Sequence, residues 1–109
     1  HNLGTVYLKK KDYDKAIMHF SKTVSLNPNF MLAYNNRGNA YKNLKKYEEA
    51  FADYENALKI DPHYPRIYYN RGNAYKELKQ YESGIITSNE LNSIQLEGNA
   101  EILVGNPNL

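Results

Sequence analysis

The sequence contains no cysteine among its 109 residues, which excludes disulfide bonds, thiolate metal sites and cysteine nucleophiles. It also has no secretory signal peptide and no apolar run long enough to cross a membrane. Acceptor sequences for glycosylation, Asn-x-Ser/Thr, are missing as well. These absences predict an intracellular protein, in the cytoplasm, with no membrane partner.

The sequence patterns of common catalytic sites are also missing. The three histidines stand apart, with no His-Glu-x-x-His arrangement, no glycine-rich phosphate loop and no Gly-x-Ser-x-Gly. Glu48 and Glu49 are adjacent, so they point in different directions from a helix and do not form a catalytic pair. We therefore predict a chain that is not an enzyme and that uses no metal or cofactor.

The charge is nearly balanced, at +2, which gives no strong signal for nucleic acid. Lysine clusters at 9–11 and 42–46, with 11 tyrosines that could stack on bases, keep an RNA-associated module as an alternative. Both features have a simpler explanation. Lysines are favourable at helix C-termini, and the tyrosines recur at positions expected to fill helix–helix contacts.

The sequence does contain a repeat with a period of 34 residues. Residues 35–48 read Asn-Asn-Arg-Gly-Asn-Ala-Tyr-Lys-Asn-Leu-Lys-Lys-Tyr-Glu, and residues 69–82 repeat this stretch with few changes. A degraded copy occupies residues 1–7. A fixed period of this length is typical of stacked supersecondary units.

Each unit is predicted to contain two helices, because its apolar residues recur at i, i+3, i+4 and i+7. Asn27-Pro28 and Asp61-Pro62 should end the second helices, since the residue before a proline is pushed out of the α region. In the second helix of the first unit, residues 13–26, we expect the core-facing residues to be Ala16, Ile17, Phe20, Val24 and Leu26. The predicted helices are 1–10, 13–26, 30–44, 47–60 and 65–78, with Tyr81 opening a further one.

A glycine stands in the middle of each first helix, at positions 4, 38 and 72. Glycine in a helix costs roughly 1 kcal/mol relative to alanine. Its recurrence predicts close helix–helix packing that offsets this cost.

The repeat resembles the tetratricopeptide repeat family, through Gly38, Tyr41, Ala50, Tyr54, Ala57 and Pro62, with Gly72 and Tyr75 in the next copy. Arg37, Arg71 and Thr23 depart from the residue types usual in that family. The resemblance implies an all-α fold, an α-solenoid of antiparallel helix pairs in a right-handed superhelix with about two and a half repeats. Its expected divisions are a truncated repeat at 1–28, a complete repeat at 29–62, a third repeat with a degenerate second helix at 63–96, and a tail or capping segment at 97–109.

The C-terminal part differs in charge from the rest. Residues 84–109 contain three glutamates and no lysine or arginine. One interpretation is a segment that caps the last apolar face, as terminal repeats require. Another is an acidic tail that competes with partners for a basic groove. One helix over 90–104, two short helices or a strand at 102–104 all remain open for its conformation.

The resemblance implies that the first helices line a concave groove, and we call the residues on this concave face the groove face. An asparagine amide both donates and accepts hydrogen bonds, so rows of asparagines could bind a peptide backbone. Lys42, Arg66 and Lys76 would favour acidic ligands. Alternatively, the asparagines bond to neighbouring helices and only keep the face soluble. The groove face comprises Asn35, Asn36, Asn39, Lys42, Asn43, Arg66, Tyr69, Asn70, Asn73 and Lys76.

One subset of the family binds a C-terminal carboxylate through Lys, Asn, Asn, Lys and Arg. In this chain the corresponding positions are His1, Thr5, Asn36, Arg66 and Asn70. Only Asn36 matches in type and Arg66 keeps the charge, so the clamp is incomplete.

The prediction is therefore a non-catalytic protein–protein interaction scaffold that binds a partner's peptide segment in its groove. A repeat arm of a larger enzyme, such as a glycosyltransferase, is the main alternative. The chain is expected to be a fragment of a longer array or an incomplete gene product. Since about three repeats are usually needed for a stable stack, self-association through exposed solenoid ends is a further expectation.

Overall fold

The computed structural model describes residues 1–82, and the predictions made for the C-terminal tail lie outside this part of the chain. Described residues outside helices form turns, and no strand occurs among them. This confirms the all-α fold. The five helices are α1 (Asn2–Lys9), α2 (Tyr13–Leu26), α3 (Met31–Asn43), α4 (Tyr47–Ile60) and α5 (Pro65–Glu82).

The ends of α2 and α4 follow from local side-chain chemistry. Asp12 caps α2 by accepting a hydrogen bond from the Lys15 N–H at 3.3 Å. After each helix, an Asx turn leads into the next element. Asn27 Oδ1 accepts from the Asn29 N–H at 3.2 Å, and Asp61 Oδ1 accepts from the His63 N–H at 3.1 Å.

The short turns inside the first two helix pairs depend on a left-handed residue. Lys11 has a φ of 62° and Lys45 has a φ of 65°, and these two lysines are one repeat period apart. A side chain in this region is strained, because its Cβ approaches the following carbonyl oxygen. The repeat therefore uses the same turn twice although neither copy has glycine there.

The core combines aromatic rings with alanines. Tyr47, Tyr54, Phe20 and Ile67 are among the largest fully buried side chains. Small residues face the rings and allow the helices to approach closely. The buried alanines are Ala16, Ala33, Ala40, Ala50, Ala57 and Ala74.

The expected packing role of the repeated glycine is confirmed in two of the three units. A Cβ added at Gly4 would lie 2.6 Å from the Phe20 ring, and one added at Gly38 would lie 2.8 Å from the Tyr54 ring. Each glycine therefore makes room for the aromatic ring of its partner helix. Nothing among the described residues comes within 4 Å of a Cβ added at Gly72.

Two details of the sequence prediction are wrong. The helix break expected before Tyr81 is absent, because α5 continues from Pro65 to Glu82. The segment Lys-Glu-Leu-Lys-Gln at 76–80 contains only good helix formers. Leu26 does not point inward, since 79% of it is exposed. At about 100° per residue it lies roughly 240° around α2 from Phe20, away from the core.

Within residues 1–82, no helix combines the length and the apolar character needed to span a membrane.

Candidate functional site

The groove face is built from the neighbouring helices α3 and α5, which are joined by a hydrogen bond between asparagines. Asn70 Nδ2 donates to Asn35 Oδ1 at 3.0 Å. Asn35 is only 2% exposed, so its amide joins the two helices and is not presented at the surface. The alternative interpretation of the asparagine rows, as bonds between neighbouring helices, therefore describes this pair.

Asn39 is held from beneath by α4. The Tyr54 hydroxyl donates to Asn39 Oδ1 at 2.6 Å, and Asn43 Nδ2 donates to the Asn39 carbonyl at 2.8 Å. Burial raises the pKa of Tyr54, and nearby Glu77 raises it further. Tyr54 therefore remains a donor at neutral pH and fixes the Asn39 side chain, whose Nδ2 is not used in these bonds.

A cluster of charges lies where α3 ends. Lys42 Nζ and Lys45 Nζ each lie 3.8 Å from a carboxylate oxygen of Glu77 on α5. The same carboxylate accepts a hydrogen bond of 3.0 Å from the Tyr47 hydroxyl. Burial, and secondly the Glu77 charge, raise the pKa of Tyr47 well above its usual value. Glu77 thus partly neutralises the positive charge that the sequence assigned to Lys42.

The other predicted residues are more accessible. Tyr69 is 70% exposed, and Asn43, Arg66 and Lys76 are exposed as well. Partly buried positions are held by Asn36, Asn39, Asn70 and Asn73. The face therefore combines fixed amides with solvent-exposed cations and one exposed aromatic ring.

Sequence reasoning did not find the ion pair of Arg37, which lies outside the groove face. Arg37 donates to both carboxylate oxygens of Asp53, at 2.9 and 2.7 Å, and also to Ser21 Oγ at 3.1 Å. Burial raises the pKa of Asp53, an effect that Arg37 opposes. The hydrogen bond to Asp53 raises the pKa of Arg37 in turn.

The spacing of these partners is the signal that could have revealed them. Ser21 and Asp53 lie 16 residues before and after Arg37. Arg71, one period later, reaches Glu55, again 16 residues before it, at 2.6 Å. This spacing joins α3 to the second helices on either side of it, so Arg37 has polar neighbours in both directions.

Across the part of the chain that the structure describes, no group of three or more His, Cys, Asp or Glu residues could hold a metal ion. The groove face offers amides, ammonium groups and a phenol ring, which are suited to non-covalent recognition of a peptide.

Comparisons with known families assign these helix pairs. A TPR repeat model matches residues 43–79. Three tetratricopeptide repeat models match residues 1–30, 19–52 and 65–96. The chain belongs to the tetratricopeptide repeat family.

This tetratricopeptide repeat chain is similar in architecture to a solved structure of another protein. That structure is described as the TPR2B-domain:pHsp70-complex of yeast Sti1. The TM-score is 0.67 at 27% sequence identity, and the alignment covers 94% of this chain and 79% of the other. The search of curated proteins returns no match. The likeness supports a repeat solenoid that acts in protein–protein interaction.

Proposed function

We propose that the groove face binds an extended peptide segment of a partner protein, and that the chain acts as a non-catalytic scaffold. The observation that carries this proposal is the set of asparagine amides fixed along two adjacent helices. Tyr54 and Asn35 hold Asn39 and Asn70 in place from behind. Side chains fixed in this way lose little entropy when they bind a ligand.

The charges favour an acidic segment. Arg66 and Lys76 are exposed on the face, and Lys42 lies at its edge. A peptide with aspartate or glutamate residues would gain from these cations, while the amides bind its backbone. Tyr69 adds an exposed ring that could cover an apolar side chain of the ligand.

The similar solved structure supports the binding of a partner protein, since it is a complex of a TPR domain with pHsp70. The incomplete clamp argues against binding of a C-terminal carboxylate in the manner of the clamp-containing members of the family. Of the five positions, only Asn36 has the required residue type, and Arg66 keeps the charge. We therefore propose recognition of an internal acidic segment through its backbone and side chains. The predicted intracellular, cytoplasmic location fits a partner of this kind.

The test selects ligands from a library of random twelve-residue peptides and measures their affinities by fluorescence anisotropy. The variant Asn36→Ala/Lys76→Ala removes one amide and one cation from the groove face, and neither residue makes the bonds that hold α3 to α5. Asn56→Ala/Lys59→Ala removes the same groups from α4 and is the matched control.

We expect the selected peptides to be acidic and the groove variant to bind them at least about tenfold more weakly, a loss of about 1.4 kcal/mol. The control should bind like the wild type, and circular dichroism should show both variants folded. Equal affinities of the two variants would place the binding site elsewhere. Selection of basic peptides would contradict the acidic preference.

A further inference from the structure

Glu77 places a carboxylate of the chain itself between two ammonium groups at the edge of the groove face. Its Oε2 lies 3.8 Å from Lys42 Nζ, and its Oε1 lies 3.8 Å from Lys45 Nζ. The Lys42, Lys45 and Glu77 side chains are 17%, 29% and 30% exposed, so water reaches all three. The cluster is therefore an accessible ion-pair site.

We infer that Glu77 determines the charge selectivity of the groove face, because it occupies the position that a partner's carboxylate would take between Lys42 and Lys45. The partner group is an aspartate or glutamate side chain, as in the internal acidic segment proposed above. The selectivity for peptides rests on the proposed function. The competition for the two lysines is a property of this chain alone.

The geometry makes Glu77 a replaceable occupant. Both N–O separations of 3.8 Å exceed the 2.7–2.9 Å typical of charge-assisted hydrogen bonds. The shortest contact of the carboxylate is with the Tyr47 hydroxyl, at 3.0 Å. A ligand carboxylate that approaches both ammonium groups more closely can therefore displace the Glu77 carboxylate from between them.

The repeat itself shows that the carboxylate is a special feature of the third unit. One period earlier, the position of Glu77 is held by Asn43. Asn43 donates to a backbone carbonyl of its own helix and carries no charge. The internal carboxylate is thus a difference between two copies that otherwise share Asn-Arg-Gly-Asn-Ala-Tyr-Lys.

Glu77→Gln is the informative variant. The glutamine keeps a side-chain oxygen that can accept from Tyr47, while the negative charge between the lysines is removed. Glu55→Gln is the matched control, because it removes the same charge from the pair with Arg71, outside the groove face. Any effect of net charge alone should appear equally in both variants.

The first probe is succinate, titrated at low salt into isotope-labelled protein while the NMR signals of Lys42 and Lys45 are followed. Releasing an accessible ion pair should lower the half-saturating succinate concentration of Glu77→Gln about two- to fivefold. Glu55→Gln should match the wild type. The gain should disappear when Lys42→Gln and Lys45→Gln are added. An equal gain in the control, or a gain that survives loss of the lysines, overturns the inference.

The second probe is an acidic twelve-residue peptide with blocked ends, compared with its amide counterpart in which Asn and Gln replace Asp and Glu. We expect Glu77→Gln to bind the acidic peptide about two- to fivefold more tightly and the amide peptide unchanged. Tightening of both peptides alike, or of neither, overturns the inference. If succinate responds as expected and no peptide binds to any variant, the proposed function fails while the occupancy of the two lysines by Glu77 stands.

Discussion

Arg37 on α3 holds Asp53 on α4 through two parallel hydrogen bonds, of 2.9 and 2.7 Å. Its remaining terminal nitrogen reaches Ser21 on α2 at 3.1 Å, so one guanidinium joins three successive helices. The Asp53 side chain is 3% exposed and that of Arg37 is 17% exposed. Such a fork-to-fork pair fixes the relative positions of the helices, because both its distance and its plane are constrained.

Removing one member of this pair should strongly destabilise the chain. We expect Asp53→Ala to lower the free energy of unfolding by about 3–5 kcal/mol, since it leaves a largely buried guanidinium without its carboxylate. Urea denaturation followed by circular dichroism measures the change. Glu55→Ala, which breaks the more exposed pair with Arg71, should cost less than about 1 kcal/mol. Similar losses in the two variants would contradict a special role for Asp53.

Gly38 provides a second prediction, in which packing opposes helix propensity. Gly38→Ala should gain roughly 1 kcal/mol of propensity but lose about 1–3 kcal/mol to overpacking, because the added Cβ would lie 2.8 Å from the Tyr54 ring. That ring is fully buried and its hydroxyl is bonded to Asn39, so it cannot easily move away. A net loss of stability should therefore appear in urea denaturation.

Gly72→Ala is the natural comparison for this substitution. No described atom lies within 4 Å of its added Cβ, so the propensity gain of up to about 1 kcal/mol should remain. A stabilised Gly38→Ala protein would show that the Tyr54 ring yields to the methyl group.

The helix boundaries that could be predicted are those determined by local sequence. The predictions of 13–26 and 47–60 match α2 and α4, because proline and an Asx side chain end both helices within one turn. The continuation of α5 through residues 79–82 was missed because no local signal marks it. The turn at Lys45 has a strained φ of 65°, and the similar residues 76–80 continue as helix.

For the candidate site, the sequence predicts which residues share a helix face but not which hydrogen bonds they form. Period and helical spacing bring Asn36, Asn39, Asn70 and Asn73 onto adjacent helices, which the repeat makes evident. Which amide bonds to a neighbouring helix depends on rotamers and on small differences in helix separation. The sequence therefore could not show that Asn35 is buried and bonded to Asn70, or that Glu77 lies near Lys42.

Lys11 allows a test of the left-handed turn. Lys11→Gly should relieve a cost of about 1–2 kcal/mol for a side chain at a φ of 62°, partly offset by the greater freedom of glycine in the unfolded chain. We expect a net gain of up to about 1 kcal/mol, measured as a higher midpoint in thermal unfolding. Lys10→Gly, at a φ of −79°, relieves no strain and should not stabilise the protein. A midpoint that rises equally in both variants would contradict the strain at Lys11.

The buried tyrosines predict a loss of stability at alkaline pH. Burial raises the pKa of Tyr47 and of Tyr54 above the usual value of about 10, so these side chains keep their protons in the folded state after the unfolded chain has lost them. Between the unfolded and the folded pKa values the native state binds more protons. The free energy of unfolding therefore falls as pH rises. Each such tyrosine lowers the free energy of unfolding by about 1.4 kcal/mol for each pH unit above about 10, until its folded-state pKa is reached.

Tyr47→Phe separates this effect from the general response to alkali. The phenylalanine cannot ionise. Unfolding titrations between pH 9 and 11 should therefore show a shallower fall of the unfolding free energy with pH, the slope differing by the contribution of about one proton. The variant also loses the hydrogen bond to Glu77, which lowers its stability at neutral pH. Tyr69→Phe, at a ring that is 70% exposed, is the control for removing a phenol hydroxyl elsewhere in the chain. Equal slopes in the wild type and Tyr47→Phe would show that the Tyr47 proton is lost as readily in the folded as in the unfolded chain, which its burial argues against.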